Sequence, residues 1–166
     1  MVILGVDPGY AIVGCGVVRY ERNHFAPLYS GAVTTRANTE FSLRLEQIYD
    51  GVSEVLRQYT PDALSIEKLF FNTNTTTALD VAEARGCILL AARKAQVPVY
   101  EYTPLQIKQA VTGYGRAEKS QMMEMTRVLL GLEAVPKPDD VADGLAAAIC
   151  HAHCAGSLMG KLRNSN

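Results

Sequence analysis

The spacing of apolar residues changes period near residue 40, and that change constrains the fold more than any other feature of the chain. Before it, short apolar runs alternate with turn signals. Met1 to Val6 is one such run, closed by Pro8-Gly9, and it predicts a buried strand. Gly14 to Tyr20 predicts a second strand. After the polar stretch Glu21-Arg22-Asn23-His24, Leu28 to Thr34 predicts a third. Strands this close together predict an antiparallel meander. Past residue 40, Phe41, Leu45, Ile48, Val52 and Val55 recur at helical spacing, with Asn38 and Thr39 where an N-cap belongs and Pro61 as the stop.

The second half alternates. Ala63 to Ile66 predicts a strand, Thr76 to Ala95 a long alanine-rich helix, and Val97 to Tyr102 a fifth strand. Thr103-Pro104-Leu105-Gln106 combines a capping box with proline at the first helical position, so a helix starts there. Gly113-Tyr114-Gly115 breaks it, a helix from about Glu118 ends near Gly131, and a last helix begins at Asp139. A meander followed by crossover units predicts an α/β chain. Its five-stranded mixed sheet joins the antiparallel meander to parallel strands and is flanked by helices. At 166 residues one domain is expected, spanning 1–157, with 158–166 as a flexible tail.

Four carboxylates fall where such a sheet collects ligands. Asp7 and Glu67 each end an apolar strand, and Asp140 and Asp143 stand three apart on the last helix, on one face. If the two strands are adjacent and parallel, all four acids could form one cluster. Like charges so close resist joint ionisation, and a hard divalent ion, Mg²⁺ or Mn²⁺, relieves this. Two such ions about 3.5–4 Å apart suit phosphodiester cleavage. Each acid also fits a structural role: Asp7 a turn, Glu67 a solvated strand end, Asp139 and Asp140 helix caps. Asp143 lies too deep in the helix for capping to explain it well.

Composition argues mildly against a nucleic-acid partner, because the net charge is −1 and no basic excess appears. Carboxylates of an acidic site can mask a basic face in that sum. Without a basic, apolar leader or a membrane-length apolar run, and with four cysteines, the expectation is a reducing cytoplasm and no membrane. Cys150-His151-Ala152-His153-Cys154 invites a zinc reading, which the lack of a second ligand pair disfavours.

The acids lie within motifs that resemble the RuvC family of Holliday-junction resolvases. Gly5-Val6-Asp7-Pro8-Gly9 with Gly14-Cys15-Gly16-Val17 resembles the family's opening. Ile66-Glu67-Lys68-Leu69-Phe70 with Asn72 to Leu79 resembles its second block. Ile107-Lys108-Gln109, Gly113-Tyr114-Gly115 and Ala117-Glu118-Lys119-Ser120 resemble its late basic segment, and Asp140-Val141-Ala142-Asp143-Gly144-Leu145-Ala146 its closing motif. The resemblance implies an RNase H-like fold and an endonuclease that resolves four-way junctions by paired, Mg²⁺-dependent cuts in DNA recombination and repair. It implies Asp7, Glu67, Asp140 and Asp143 as catalytic metal ligands and Lys119 as a further catalytic residue. Phe70 would stack on an unpaired base, whereas Phe71 reads as core. Lys108, Lys119, Arg116 and Arg85 would contact DNA, with Lys68 a further basic candidate. A homodimer is expected, with the branch-migration proteins RuvA and RuvB as partners. Two rivals stand beside it: an actin-like or sugar-kinase ATPase, which needs a second such domain, and a junction-binding module without chemistry, which has no use for four acids.

Overall fold

The structure, a computed structural model, describes residues 1–69 and 77–156. Phe70, Phe71 and the expected tail at 158–166 lie outside them. The chain runs β1 (Val2–Asp7), β2 (Ile12–Glu21), β3 (His24–Thr34), α1 (Phe41–Tyr59), β4 (Ala63–Glu67), α2 (Ala78–Lys94), β5 (Val99–Tyr102), α3 (Pro104–Thr112), α4 (Lys119–Leu130) and α5 (Asp139–Gly156). This is the predicted order. The strands form one mixed sheet in the order β3-β2-β1-β4-β5. β1, β2 and β3 pair antiparallel, and β1–β4 and β4–β5 pair parallel.

Several boundaries differ from the sequence reading. β2 begins at Ile12, and β3 begins at His24 because Arg22 and Asn23 both adopt positive φ, which closes a two-residue hairpin turn. Helix α1 is capped at Glu40 rather than at Asn38 or Thr39, with no side-chain cap hydrogen bond. β5 begins at Val99. The capping box of α3 forms as expected, with Gln106 N–H donating to Thr103 Oγ1 and Thr103 N–H to Gln106 Oε1.

The central strands β1 and β4 are apolar on both faces because helices cover both. Leu4, Val6, Leu64 and Ile66 pack against Ile48 and Val52 of α1 and Ile88 of α2. The opposite face packs against α3, α4 and α5, with Ile3, Leu145 and Ile149 at its centre. Leu145 and Ile149 are fully buried, and each contributes about 2 kcal/mol by leaving water.

Helix α5 lies unusually close to the sheet. A Cβ on Gly14 would overlap the carbonyl oxygen of Asp140, and a Cβ on Gly5 would overlap that of Gly144. Those strand positions carry no side chain, so the helix backbone rests on the strand backbone. Ser65 adds a polar tie: its hydroxyl, fully buried, donates to the carbonyl oxygen of Ala147 at 2.6 Å. Gly14→Ala should lift the start of α5 off the sheet and destabilise the protein by about 3 kcal/mol, because backbone cannot yield as a side chain does. Chemical denaturation measures this; an unchanged midpoint would mean that α5 has room to spare.

Candidate functional site

Strand alternation decides where the acids point. Leu4 and Val6 of β1 face α1 and α2, so Gly5 and Asp7 face α5. In β4, Leu64 and Ile66 face α1 and α2, so Ser65 and Glu67 face α5. The parallel register Gly5↔Ser65 and Val6↔Ile66 brings Asp7 level with Glu67. Gly14 is the β2 partner of Asp7 and lies under Asp140, so the first turn of α5 arrives beside Asp7.

These elements enclose a cleft of about 370 Å³ lined by Asp7, Glu67, Asp143, Lys108, Lys119, Pro104, Ile107 and Met122. Asp140 is not in its lining, although its charge is felt by Asp7. Pro104, Ile107 and Met122 give the cleft an apolar wall, which strengthens every charge interaction inside it. Lys108 comes from α3 and Lys119 opens α4, whose start is set by a capping box between Glu118 and Gln121.

The electrostatics are those of crowded acids. Burial, then the neighbouring charges of Asp143, Glu67 and Asp140, push the Asp7 carboxyl up to about 8, against a smaller opposing pull from Lys119. Burial and Asp143 raise Glu67, opposed by Lys108 and Lys119. Asp143 is raised as well, although Lys119 Nζ sits 3.2 Å from its Oδ2. Burial outweighs the ion pair there. For Lys119 the balance reverses: burial would lower the ammonium, and Asp143, Asp139 and Asp140 together raise it.

Among the described residues no group of three or more His, Cys, Asp or Glu side chains is set to hold a metal ion as it stands. The chemistry of the donors nonetheless fits a hard divalent cation. All are carboxylate oxygens, and burial together with the neighbouring acids raises the Asp7 carboxyl, a cost that such a cation would relieve.

The other expected residues fall into two groups. Arg116 and Lys68 are exposed. Arg85, expected on the basic face, is instead committed to the α2–β5 contact, its Nη2 2.9 Å from Glu101 Oε2 and its side chain only 15% exposed. Its Nε has no hydrogen-bond partner, so the pair is a charge contact rather than an aligned fork. The reading of Cys150 to Cys154 also resolves into packing contacts. His151 Nδ1 shares a 2.8 Å hydrogen bond with the Tyr102 hydroxyl, and His153 Nδ1 lies 2.9 Å from the Ala110 carbonyl oxygen. Burial pushes His151 down to about 4, so its ring is neutral.

Two contributors escaped the sequence reading. Asp139, taken only as a cap, pairs with Lys137 at 2.7 Å and stands 3.8 Å from Lys119. Ser65 ties β4 to α5. The alternation of β4 was the available signal for Ser65, since it places that residue on the face of Glu67.

The raised Asp7 carboxyl has a consequence for stability. Between about pH 4 and 8 the folded chain holds a proton that the unfolded chain has released, so stability falls as pH rises through that window. In EDTA, the melting temperature of wild type should drop more steeply from pH 5 to 8.5 than that of Asp7→Asn. Parallel curves would show that Asp7 titrates as an ordinary carboxylate.

Comparison with known proteins agrees with this geometry. Residues 3–151 match the family described as crossover junction endodeoxyribonuclease RuvC. The proteins of that name from Brevibacillus brevis and Alkaliphilus metalliredigens are 59% and 56% identical over 152 and 153 residues. These spans are 92% of this chain in both cases, and 92% and 93% of those proteins. The structure of Thermus thermophilus RuvC superposes with a TM-score of 0.87 at 39% identity, covering 93% of this chain and 95% of that one. The same protein in complex with Holliday junction substrate gives 0.89 at 39% identity, covering 93% and 94%. The mixed sheet and its flanking helices are thus an RNase H-like fold, and the chain belongs to the RuvC family.

Proposed function

We propose that this chain is a Holliday-junction resolvase, an endonuclease that cuts four-way DNA junctions in recombination and repair. The observation that carries the reading is the convergence of Asp7, Glu67 and Asp143 in one cleft, with Asp140 beside it and two lysines in its wall. The junction complex of the 39% identical Thermus thermophilus protein supports the substrate.

The mechanism follows from the side chains. Asp7, Glu67, Asp140 and Asp143 would hold two divalent ions, with Mg²⁺ the hard-ion choice and Mn²⁺ an alternative. Bound there, such ions would offset charge developing on the phosphate and would acidify attacking water. Lys119 and Lys108 bind the phosphate backbone as compact charges that read no sequence. Arg116 extends that face. Pro104, Ile107 and Met122 exclude water from one wall. Phe70, three residues after Glu67, is proposed to stack on a base at the opened crossover.

Two opposed strands need two cuts, and one chain offers one site. A two-fold homodimer supplies the second. Helix α2 exposes two leucines on one face, Leu79 at 72% and Leu90 at 54%. We assign the interface there. RuvA and RuvB are the proposed partners on the junction. Among the described residues no helix is long and apolar enough to cross a membrane. The four free cysteines suit a reducing compartment, and the cytoplasm is the proposed location.

The deciding experiment is cleavage of a synthetic four-way junction beside linear duplex, with Mg²⁺ and with EDTA. Cutting of the junction alone, and only with the ion, is expected; equal cutting of both substrates would remove the junction reading. Asn or Gln at Asp7, Glu67, Asp140 or Asp143 should lower the rate at least about 100-fold while junction binding persists, because a lost ligand changes the ion site and not the DNA surface. A variant cutting at the wild-type rate would leave the site. Phe70→Ala should slow cleavage and Phe70→Trp should retain it, since stacking needs only a flat ring. Leu90→Glu should sediment as a monomer that nicks without paired resolution. A dimer that survives the substitution would place the interface elsewhere.

A further inference from the structure

Lys119 stands in an ambiguous place. Its Nζ is 3.2 Å from Asp143 Oδ2 and 3.8 Å from Asp139 Oδ2, while its side chain remains 58% exposed. Asp139 is also held by Lys137 at 2.7 Å. One proposed metal ligand is therefore already neutralised by an ammonium group of the chain itself. That ammonium lines the cleft shared by Asp7, Glu67 and Asp143. No cage fixes it there, because more than half of the side chain faces solvent.

An ammonium and a divalent cation compete for Asp143. They cannot both sit within hydrogen-bond distance of one carboxylate edge without strong mutual repulsion, and the apolar wall raises that cost. A DNA phosphate entering the cleft changes the balance, since it offers Lys119 a second anion of the same single charge. We propose that Lys119 is an exchangeable counter-cation: it occupies Asp143 in the free protein, and backbone phosphate draws it off, opening Asp143 to the ion. Junction binding and ion binding are then coupled through one side chain, and the coupling is reciprocal. Free protein has a weakened ion site, and full loading waits for DNA. Lys119 thus sets an order of assembly besides contacting phosphate. The inference rests on the metal-dependent reading above.

The test is Mn²⁺ binding followed by electron paramagnetic resonance, on wild type, Lys119→Met and Lys119→Arg, with folding checked by circular dichroism. Without DNA, Lys119→Met should bind Mn²⁺ about fivefold tighter or more, because a repelling charge a few ångströms from the site is gone. Lys119→Arg keeps the charge and should stay near wild type. A saturating nicked junction, already cut, should tighten Mn²⁺ binding to wild type by a larger factor than to Lys119→Met. Equal DNA-free affinities in wild type and Lys119→Met, or equal tightening by the nicked junction, would overturn the exchange while leaving metal dependence intact. Absence of saturable Mn²⁺ binding in every form, with cleavage persisting in EDTA, would instead remove the metal-dependent reading and this inference with it.

Discussion

Everything about this molecule's chemistry depends on how closely α5 approaches the sheet. The helix can deliver Asp140 and Asp143 to the edge where Asp7 and Glu67 end only because Gly5 and Gly14 carry no side chain beneath it. Glycine weakens a strand by about 0.5–1 kcal/mol relative to alanine. The chain accepts that loss at Gly5 of β1 and Gly14 of the neighbouring β2. The buried Ser65–Ala147 hydrogen bond then fixes the helix along the strand direction. Apolar packing of Leu145 and Ile149 supplies the adhesion, and the glycines and the serine supply the placement.

That placement sets a conflict between folding and chemistry. Packing drives together acids that repel one another, and the folded chain answers in two ways. Asp7 keeps its proton far above the ordinary carboxylate range, and Lys119 is drawn against Asp143. Both answers are reversible, which the cation binding proposed for this site requires. A permanent neutralisation, such as an acid replaced by an amide, would be more stable and inert.

Much of this was legible in the sequence, for identifiable reasons. The change from strand to helical periodicity predicted the order of elements, and the strand-end positions of Asp7 and Glu67 predicted their neighbourhood once β1 and β4 were parallel. The capping box at Thr103 predicted the start of α3 because it acts within four residues. What the sequence hid was long-range. Arg85 reads as a surface cation until Glu101 of β5 is seen beside it. Asp139 reads as a cap until Lys119 arrives from the start of α4. The N-cap of α1 was misplaced because Glu40 begins the helix without a side-chain hydrogen bond, so the usual cap chemistry gave no signal. Pairing between charges far apart in the chain leaves no local pattern to read.

The acids at positions 7, 67, 140 and 143 come from the first strand, the middle of the chain and its last helix. A contiguous piece that contains all four must run at least from residue 7 to residue 143. Contacts between such distant segments form late and slowly, after the cost of closing a long loop. During synthesis, therefore, all five strands emerge before the helix that completes the cluster of acids. If these acids are the cutting centre, as proposed, the capacity to cut waits on α5 reaching the glycines of β1 and β2, and a chain truncated before that helix would carry most of the sheet and none of the chemistry.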